Sequence, residues 1–116
     1  MASLEQLRED LSPEEVKRLV DASEVDLIDV REIYEVEAGR IEGSRHVQIP
    51  ELTAAAQELD RERGVVFYCR SGARSAMATQ AFRASGYNAF NLTGGLLAWV
   101  AKGLPIVPED GTVADH

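Results

Sequence analysis

Cysteine is nearly missing from this chain, in which Cys69 is the single cysteine among 116 residues. A lone cysteine cannot form an intramolecular disulfide, so a hydrophobic core must stabilise the fold. The sequence also lacks an apolar run long enough to span a membrane, and residues 1–10 lack the basic start and apolar stretch of a signal peptide. These absences predict a reducing, cytoplasmic setting, in which a free thiol survives.

Basic residues are few as well, with 12 lysines and arginines against 20 acids and a formal net charge of −8. Nucleic acids and anionic membrane surfaces are bound by basic faces, so this balance argues against both as partners. It makes two neighbouring arginines, Arg70 and Arg74, conspicuous. A cationic spot on an acidic protein favours a site for a small anion, although composition alone is equally compatible with arginines that are simply scattered.

The length predicts one domain, and 45% hydrophobic with 28% charged residues is ordinary for a globular fold. Short segments rich in branched residues alternate with helical patterns. The predicted strands span residues 25–30, 44–49, 65–68 and 89–92, and the predicted helices span 12–21, 33–38, 52–59, 75–84 and 93–103. This alternation predicts an α/β fold with a mostly parallel sheet covered by helices on both faces.

Three local predictions accompany this fold. Leucines 4, 7 and 11 have helical spacing and either cap the core or form a frayed lead-in. The helix after Cys69 is expected to turn a stripe of residues towards the core, namely Ala76, Met77, Ala81 and Phe82. Residues 1–107 form the predicted domain, and the polar residues 108–116 form a predicted flexible C-terminal tail.

The segment around Cys69 carries the chemistry. An apolar strand precedes the cysteine, the loop 70–74 follows it, and a helix begins at about Ser75. A strand, a tight loop and a helix together aim backbone N–H groups at one point, and Gly72 permits a close approach. Such a cradle binds an anion and lowers the pKa of a cysteine placed in it. A lone cysteine after a strand is more often a small core residue, but this context favours a nucleophile.

Two further residues are expected at the same edge of the sheet. Ligand sites in parallel sheets lie at the carboxyl ends of the strands, where both Cys69 and the Asp29-Val30-Arg31 sequence are predicted to lie. Asp29 and Arg31 are predicted to support the site by ion pairing with Glu35 and Arg74 rather than to act in catalysis. Arg74 either contacts the bound anion or braces the loop by pairing with an acid such as Asp29, and both roles remain open.

Three segments of the chain resemble the rhodanese-like sulfurtransferase family. They are L-I-D-V-R-E-I-Y-E-V-E-A-G-R-I-E-G-S at residues 27–44, Y-C-R-S-G-A-R-S at 68–75 and L-T-G-G-L-L-A-W-V-A-K-G-L-P at 92–105. Each is moderately specific alone, and their order and spacing together are a strong match that extends from Ser12 to Ile106. Relatives often have a histidine and a proline where this chain has Arg40 and Glu42, so the local turn is expected to differ.

The resemblance implies a five-stranded parallel sheet and a cysteine, Cys69, that carries sulfur. A donor such as thiosulfate would pass its outer sulfur to Cys69, and cyanide or a thiol would then accept it. The implied substrate-binding residues are those of the loop: Arg70, Ser71, Gly72, Ala73, Arg74 and Ser75. No cofactor is implied, and His46, His116 and Cys69 are too dispersed in sequence to predict a metal site.

Loop length separates two chemistries within this superfamily. The phosphatase and arsenate-reductase relatives have one residue more between the cysteine and the arginine than the four found here, from Arg70 to Ala73. The shorter loop favours sulfur over a tetrahedral phosphate as its cargo. The leading hypothesis is therefore a thiosulfate-type sulfurtransferase. The alternative is a sulfur-relay or regulatory module that acts through a protein partner, such as a sulfur-acceptor protein, with little turnover of its own.

Overall fold

A computed structural model describes residues 8–116 of the chain. The predictions for Leu4 and Leu7 therefore lie outside the described residues. Leu11, the third leucine of that spacing, belongs to a two-residue strand, β1 (Asp10–Leu11), and is 1% exposed. The sequence pattern missed this strand because two residues are too short to show the alternation of a strand.

The sheet has five parallel strands in the order β1-β5-β4-β2-β3. The remaining strands are β2 (Val25–Asp29), β3 (Arg45–His46), β4 (Gly64–Tyr68) and β5 (Ala89–Leu92). The predicted α/β fold with a five-stranded parallel sheet is thus confirmed. β4 lies at the centre and is buried along its whole length, as expected for a continuous apolar run with strands on both sides.

The strand predicted over residues 44–49 is shorter than expected. β3 contains only Arg45 and His46, and a 3₁₀ turn begins at Ile49. Pro50 lies in that turn, where its missing N–H and its fixed φ angle are tolerated.

Helices cover both faces of the sheet. They are α1 (Pro13–Asp21), α2 (Ile33–Ala38), α3 (Leu52–Ala55, followed by a 3₁₀ turn at Ala56–Glu58), α4 (Ala73–Ala84) and α5 (Gly95–Ala101). The side chains of α1 and α5 pack into one core cluster with Leu27, Val66 and Phe90. Those of α3 and α4 pack into the other, which includes Phe67 and Cys69. Because β4 contributes side chains to both clusters, its carboxyl end is fixed from both sides.

The core-facing stripe predicted for α4 is only partly right. Phe82 is buried, but Met77 is 73% exposed and Ala81 is exposed too. The residues of α4 that are buried are Ser75, Ala78, Thr79 and Phe82. The hydropathy pattern predicted the wrong face of α4 because two residues of the buried face, Ser75 and Thr79, are polar. The Thr79 hydroxyl donates to the Ser75 carbonyl at 2.8 Å and is satisfied within the core.

The tail, residues 108–116, packs against the domain. The Thr112 N–H donates to the Ala38 carbonyl at 2.8 Å, and Val113 packs against the core cluster that contains Trp99. Just before the tail, Val107 forms an antiparallel bridge with Arg40, one of the two positions that depart from the family pattern. The division into a domain of residues 1–107 and a flexible tail remains a prediction.

Within residues 8–116, no helix combines the length and the apolar character needed to cross a membrane.

Two adjacent leucines of α5 test the account of the core. Leu96 is 0% exposed and Leu97 is 39% exposed. We expect Leu96→Ala to lower the free energy of unfolding by ~2–5 kcal/mol, because it leaves a cavity in the core. Leu97→Ala, the matched control, should cost about 1 kcal/mol or less. Urea titration of both variants measures the difference, and equal losses would contradict the assigned orientation of α5.

Candidate active site

The loop that follows β4 is held in shape by the first turn of α5. The N–H of Leu96 donates to the Cys69 carbonyl at 2.9 Å, and the N–H of Leu97 donates to the Arg70 carbonyl at 3.1 Å. A side chain at Gly95 would place its Cβ 2.5 Å from both of these carbonyl oxygens, so this close approach requires glycine. The otherwise unpaired N–H groups of one helix therefore hold the backbone that carries the cysteine.

The Cys69 sulfur lies inside the resulting cradle and is 0% exposed. The Gly72 N–H donates to Sγ at 3.1 Å, and the Ser75 hydroxyl lies 3.4 Å from it. Gly72 has a φ of 100°, which glycine adopts readily. It directly precedes α4, so the positive end of that helix dipole also lies near the sulfur.

These contacts change the acidity of the thiol. Burial alone raises the pKa of Cys69, because it disfavours the thiolate. Hydrogen bonds from the Ser75 hydroxyl and from the backbone N–H groups of Ser75, Gly72 and Ser71 outweigh burial, so the pKa is lowered. The thiolate is the nucleophilic form of cysteine, and this environment favours it.

Asn91 organises the polar side of the cradle, and sequence reasoning missed it. Its side-chain amide donates to the Gly72 carbonyl at 3.3 Å and to Asp10 at 3.2 Å. Its oxygen therefore faces Ser75, whose hydroxyl lies 2.6 Å away. Since a hydroxyl has one proton, Ser75 donates either to Asn91 or to the Cys69 sulfur. The signal available in the sequence was a polar residue within an otherwise apolar strand, because a polar group that is buried there needs hydrogen-bond partners.

Arg74 pairs with Glu35, one of the two acids predicted to lie near it. Its guanidinium makes two hydrogen bonds to the Glu35 carboxylate, at 2.9 and 3.0 Å, and Glu35 is 0% exposed. Burial raises the pKa of Glu35. The hydrogen bonds and charge of Arg74 and the hydrogen bond from the Glu32 N–H lower it by more, so the net shift is downward. The suggested pairing of Arg74 with Asp29 does not form.

Asp29 pairs instead with Arg31. Both residues are buried, and the guanidinium contacts the carboxylate at 2.9 and 2.7 Å. Arg31 also donates to the Gly39 carbonyl at 2.7 Å, which ties the end of β2 to the end of α2. Neither residue contacts the sulfur. Their supporting role stays a prediction.

Arg70 is the loop guanidinium without a buried carboxylate partner among residues 8–116. Its side chain is 31% exposed and lies 3.3 Å from Asp115, whose side chain is 98% exposed. Its Nε is buried and has no hydrogen-bond partner within the described part of the chain. Ser71 and Ala73 are exposed on the loop. Arg70 is therefore the cation best placed to meet an anion that approaches the loop.

A family model, a curated relative and a solved structure each match most of the chain. A family model described as "Rhodanese-like domain" matches residues 12–102. A sulfurtransferase of Allochromatium vinosum is 38% identical over 96 residues, which cover 82% of this chain and 90% of that protein. The crystal structure of a rhodanese-related protein from Thermoplasma volcanium superposes with a TM-score of 0.79 at 27% identity, over 86% of this chain and 98% of that one.

A third relative has a different size. An HTH-type transcriptional regulator of Mycobacterium tuberculosis, Rv0324, is 38% identical over 105 residues. The match covers 88% of this chain but only 45% of the regulator. A similar sequence thus also occurs as one part of a longer protein.

The acidity of the thiol can be measured directly. We expect the rate of alkylation of Cys69 by iodoacetamide to rise with a pH midpoint below the ~8.5 of a free thiol. Ser75→Ala should move the midpoint upward, because it removes a hydroxyl that stabilises the thiolate. The limiting rate at high pH reports access to the sulfur and serves as the control. A wild-type midpoint at or above the free-thiol value would contradict the cradle.

The ion pair between Glu35 and Arg74 should stabilise the fold in a pH-dependent way. Glu35→Gln is expected to lower the free energy of unfolding at neutral pH by about 1.5–3 kcal/mol, because it replaces a charged hydrogen-bonded pair. The folded-state pKa of Glu35 is lowered, so its contribution is complete above the unfolded-state value of ~4.3 and disappears as the pH falls through the folded-state value.

Denaturant titrations over this pH range check the prediction. The exposed Glu37, on the same helix, provides the matched control Glu37→Gln. The difference in the free energy of unfolding between wild type and Glu35→Gln should shrink in acid. A difference that stays constant with pH would show that the ion pair is not its source.

Proposed function

The chain belongs to the rhodanese-like domain family, and we propose that it is a sulfurtransferase that carries a sulfane sulfur as a persulfide on Cys69. One observation carries the proposal, namely the Gly72 N–H 3.1 Å from a sulfur whose pKa is lowered by its surroundings. The donors that stabilise a thiolate can equally stabilise the terminal sulfur of a persulfide, which is also an anion.

The proposed reaction has two half-reactions. In the first, the Cys69 thiolate attacks the outer sulfur of thiosulfate, a new S–S bond forms, and sulfite leaves with the electron pair of the broken bond. In the second, cyanide or an acceptor thiolate attacks the terminal sulfur. The S–S bond to Cys69 then breaks, the thiolate is restored, and thiocyanate or a new persulfide is released. Sulfur and charge are balanced in each step.

The two arginines have different roles in this proposal. Arg74 is committed to Glu35 and keeps the loop closed around the sulfur. Arg70 binds the anionic donor, because its guanidinium is partly exposed and has no buried carboxylate partner among residues 8–116. The tight loop, with four residues between Cys69 and Arg74, supports sulfur rather than phosphate as the cargo.

The number of cysteines bears on the acceptor. Cys69 is the single cysteine of these 116 residues, so no second thiol among them can discharge a persulfide. The proposed acceptor therefore lies outside these residues, and it is either a small thiophile or a protein thiol. This favours, as a second candidate, a sulfur-relay or regulatory module with little turnover of its own. A reducing, cytoplasmic location and the lack of nucleic-acid or membrane partners belong to the same proposal.

Steady-state transfer of sulfur from thiosulfate to cyanide separates these possibilities. We expect the wild type to produce thiocyanate over many turnovers and Cys69→Ser to lose this activity by more than a hundredfold, on the order of the effect of removing a catalytic nucleophile. Turnover that survives in Cys69→Ser would overturn the proposal. Stoichiometric loading of sulfur without turnover would support the relay module instead.

A further inference from the structure

Backbone hydrogen bonds hold the tail against the domain along its path to the candidate active site. Val107 pairs with Arg40 through two backbone hydrogen bonds of 2.9 and 2.7 Å, and Thr112 then donates to the Ala38 carbonyl. Between them, a Cβ added at Gly111 would lie 2.8 Å from the Ala38 oxygen, so the two backbones touch where a side chain would separate them. The course of the tail therefore depends on the backbone contacts of Val107, Gly111 and Thr112.

At the end of this path, a carboxylate meets the loop. Asp115 contacts the Arg70 guanidinium at 3.3 Å. Arg74, the other arginine of the loop, already makes two hydrogen bonds to the buried Glu35. An anion that approaches Cys69 through Arg70 therefore meets a guanidinium already paired with an acid of its own chain.

We propose that Asp115 is a specificity-determining residue, which competes with anionic donors for Arg70 and thereby lowers the preference of Cys69 for highly charged reactants. The competition is between two anions for one cation, and no bond is made or broken. Asp115 is almost fully exposed, and exposed ion pairs are weak. Asp115 therefore adjusts donor preference without closing the site. The inference rests on the proposed function only where it treats the natural anion as a sulfur donor. The competition between Asp115 and an approaching anion does not depend on it.

Alkylation of Cys69 tests the proposal without any assumption about sulfur transfer. Iodoacetate is anionic and iodoacetamide is neutral, so the ratio of their rates reports how well the site accepts an anion. In the full chain at low salt, we expect Asp115→Asn to raise the iodoacetate-to-iodoacetamide ratio by about two- to fivefold. Added salt should reduce this gain, because it screens an exposed pair.

Three variants make the measurement specific. Asp110→Asn removes the same charge from an exposed position of the same tail and should leave the ratio nearly unchanged. Gly111→Ala should raise the ratio as Asp115→Asn does, because the added methyl group pushes the tail away from Ala38. In an Arg70→Ala background, Asp115→Asn should have no further effect, because the cation for which the two anions compete is gone.

The outcomes distinguish this inference from the proposed function. If the ratio rises in Asp115→Asn but the wild type shows no sulfur transfer, the inference stands and the proposed function fails. If both hold, Asp115→Asn should also lower the KM for thiosulfate, a dianion, by a similar factor and should change the cyanide step less. A ratio that does not change in Asp115→Asn, or that rises equally in Asp110→Asn, would overturn the inference.

Discussion

Two backbone hydrogen bonds, from the N–H groups of Leu96 and Leu97 to the carbonyls of Cys69 and Arg70, set the geometry on which the site depends. They turn these carbonyls towards α5, while N–H groups of the loop face the sulfur. Gly95 makes the contact possible, because any side chain there would overlap both carbonyls. A sulfur at the end of a fully buried strand thus has an anion-stabilising environment that consists mostly of backbone.

The charges around the loop are arranged so that one arginine remains accessible. Arg31 and Arg74 are each paired with a buried carboxylate, Asp29 and Glu35 respectively. These pairs connect the ends of β2, α2 and α4, and they hold the loop without presenting a free charge to solvent. Arg70 remains partly exposed on a protein with a net charge of −8, and we propose that it is the guanidinium that meets the anionic donor.

Much of this arrangement could be predicted from the sequence, and the exceptions have physical reasons. The apolar run 65–68 predicts a strand, although not its central position in the sheet. The cysteine, glycine and arginines that follow predict an anion cradle, because each residue type has a local conformational or electrostatic effect. The choice between Asp29 and Glu35 as the partner of Arg74 depends on tertiary geometry, which the sequence does not give. Asn91 was missed because it lies in a short apolar strand, and its contacts with Ser75 and Gly72 exist only in three dimensions.

The contact of the tail could not be predicted from the sequence either, because the polar composition of residues 108–116 gives no sign that Asp115 reaches Arg70.

The central claim is that Cys69 stably holds a sulfur atom among the loop N–H groups. The most direct test is the intact mass of the protein after exposure to thiosulfate and removal of the excess. The account predicts that the wild type gains the mass of one sulfur atom and that Cys69→Ser gains none. An unchanged wild-type mass, or an equal gain in Cys69→Ser, would contradict it.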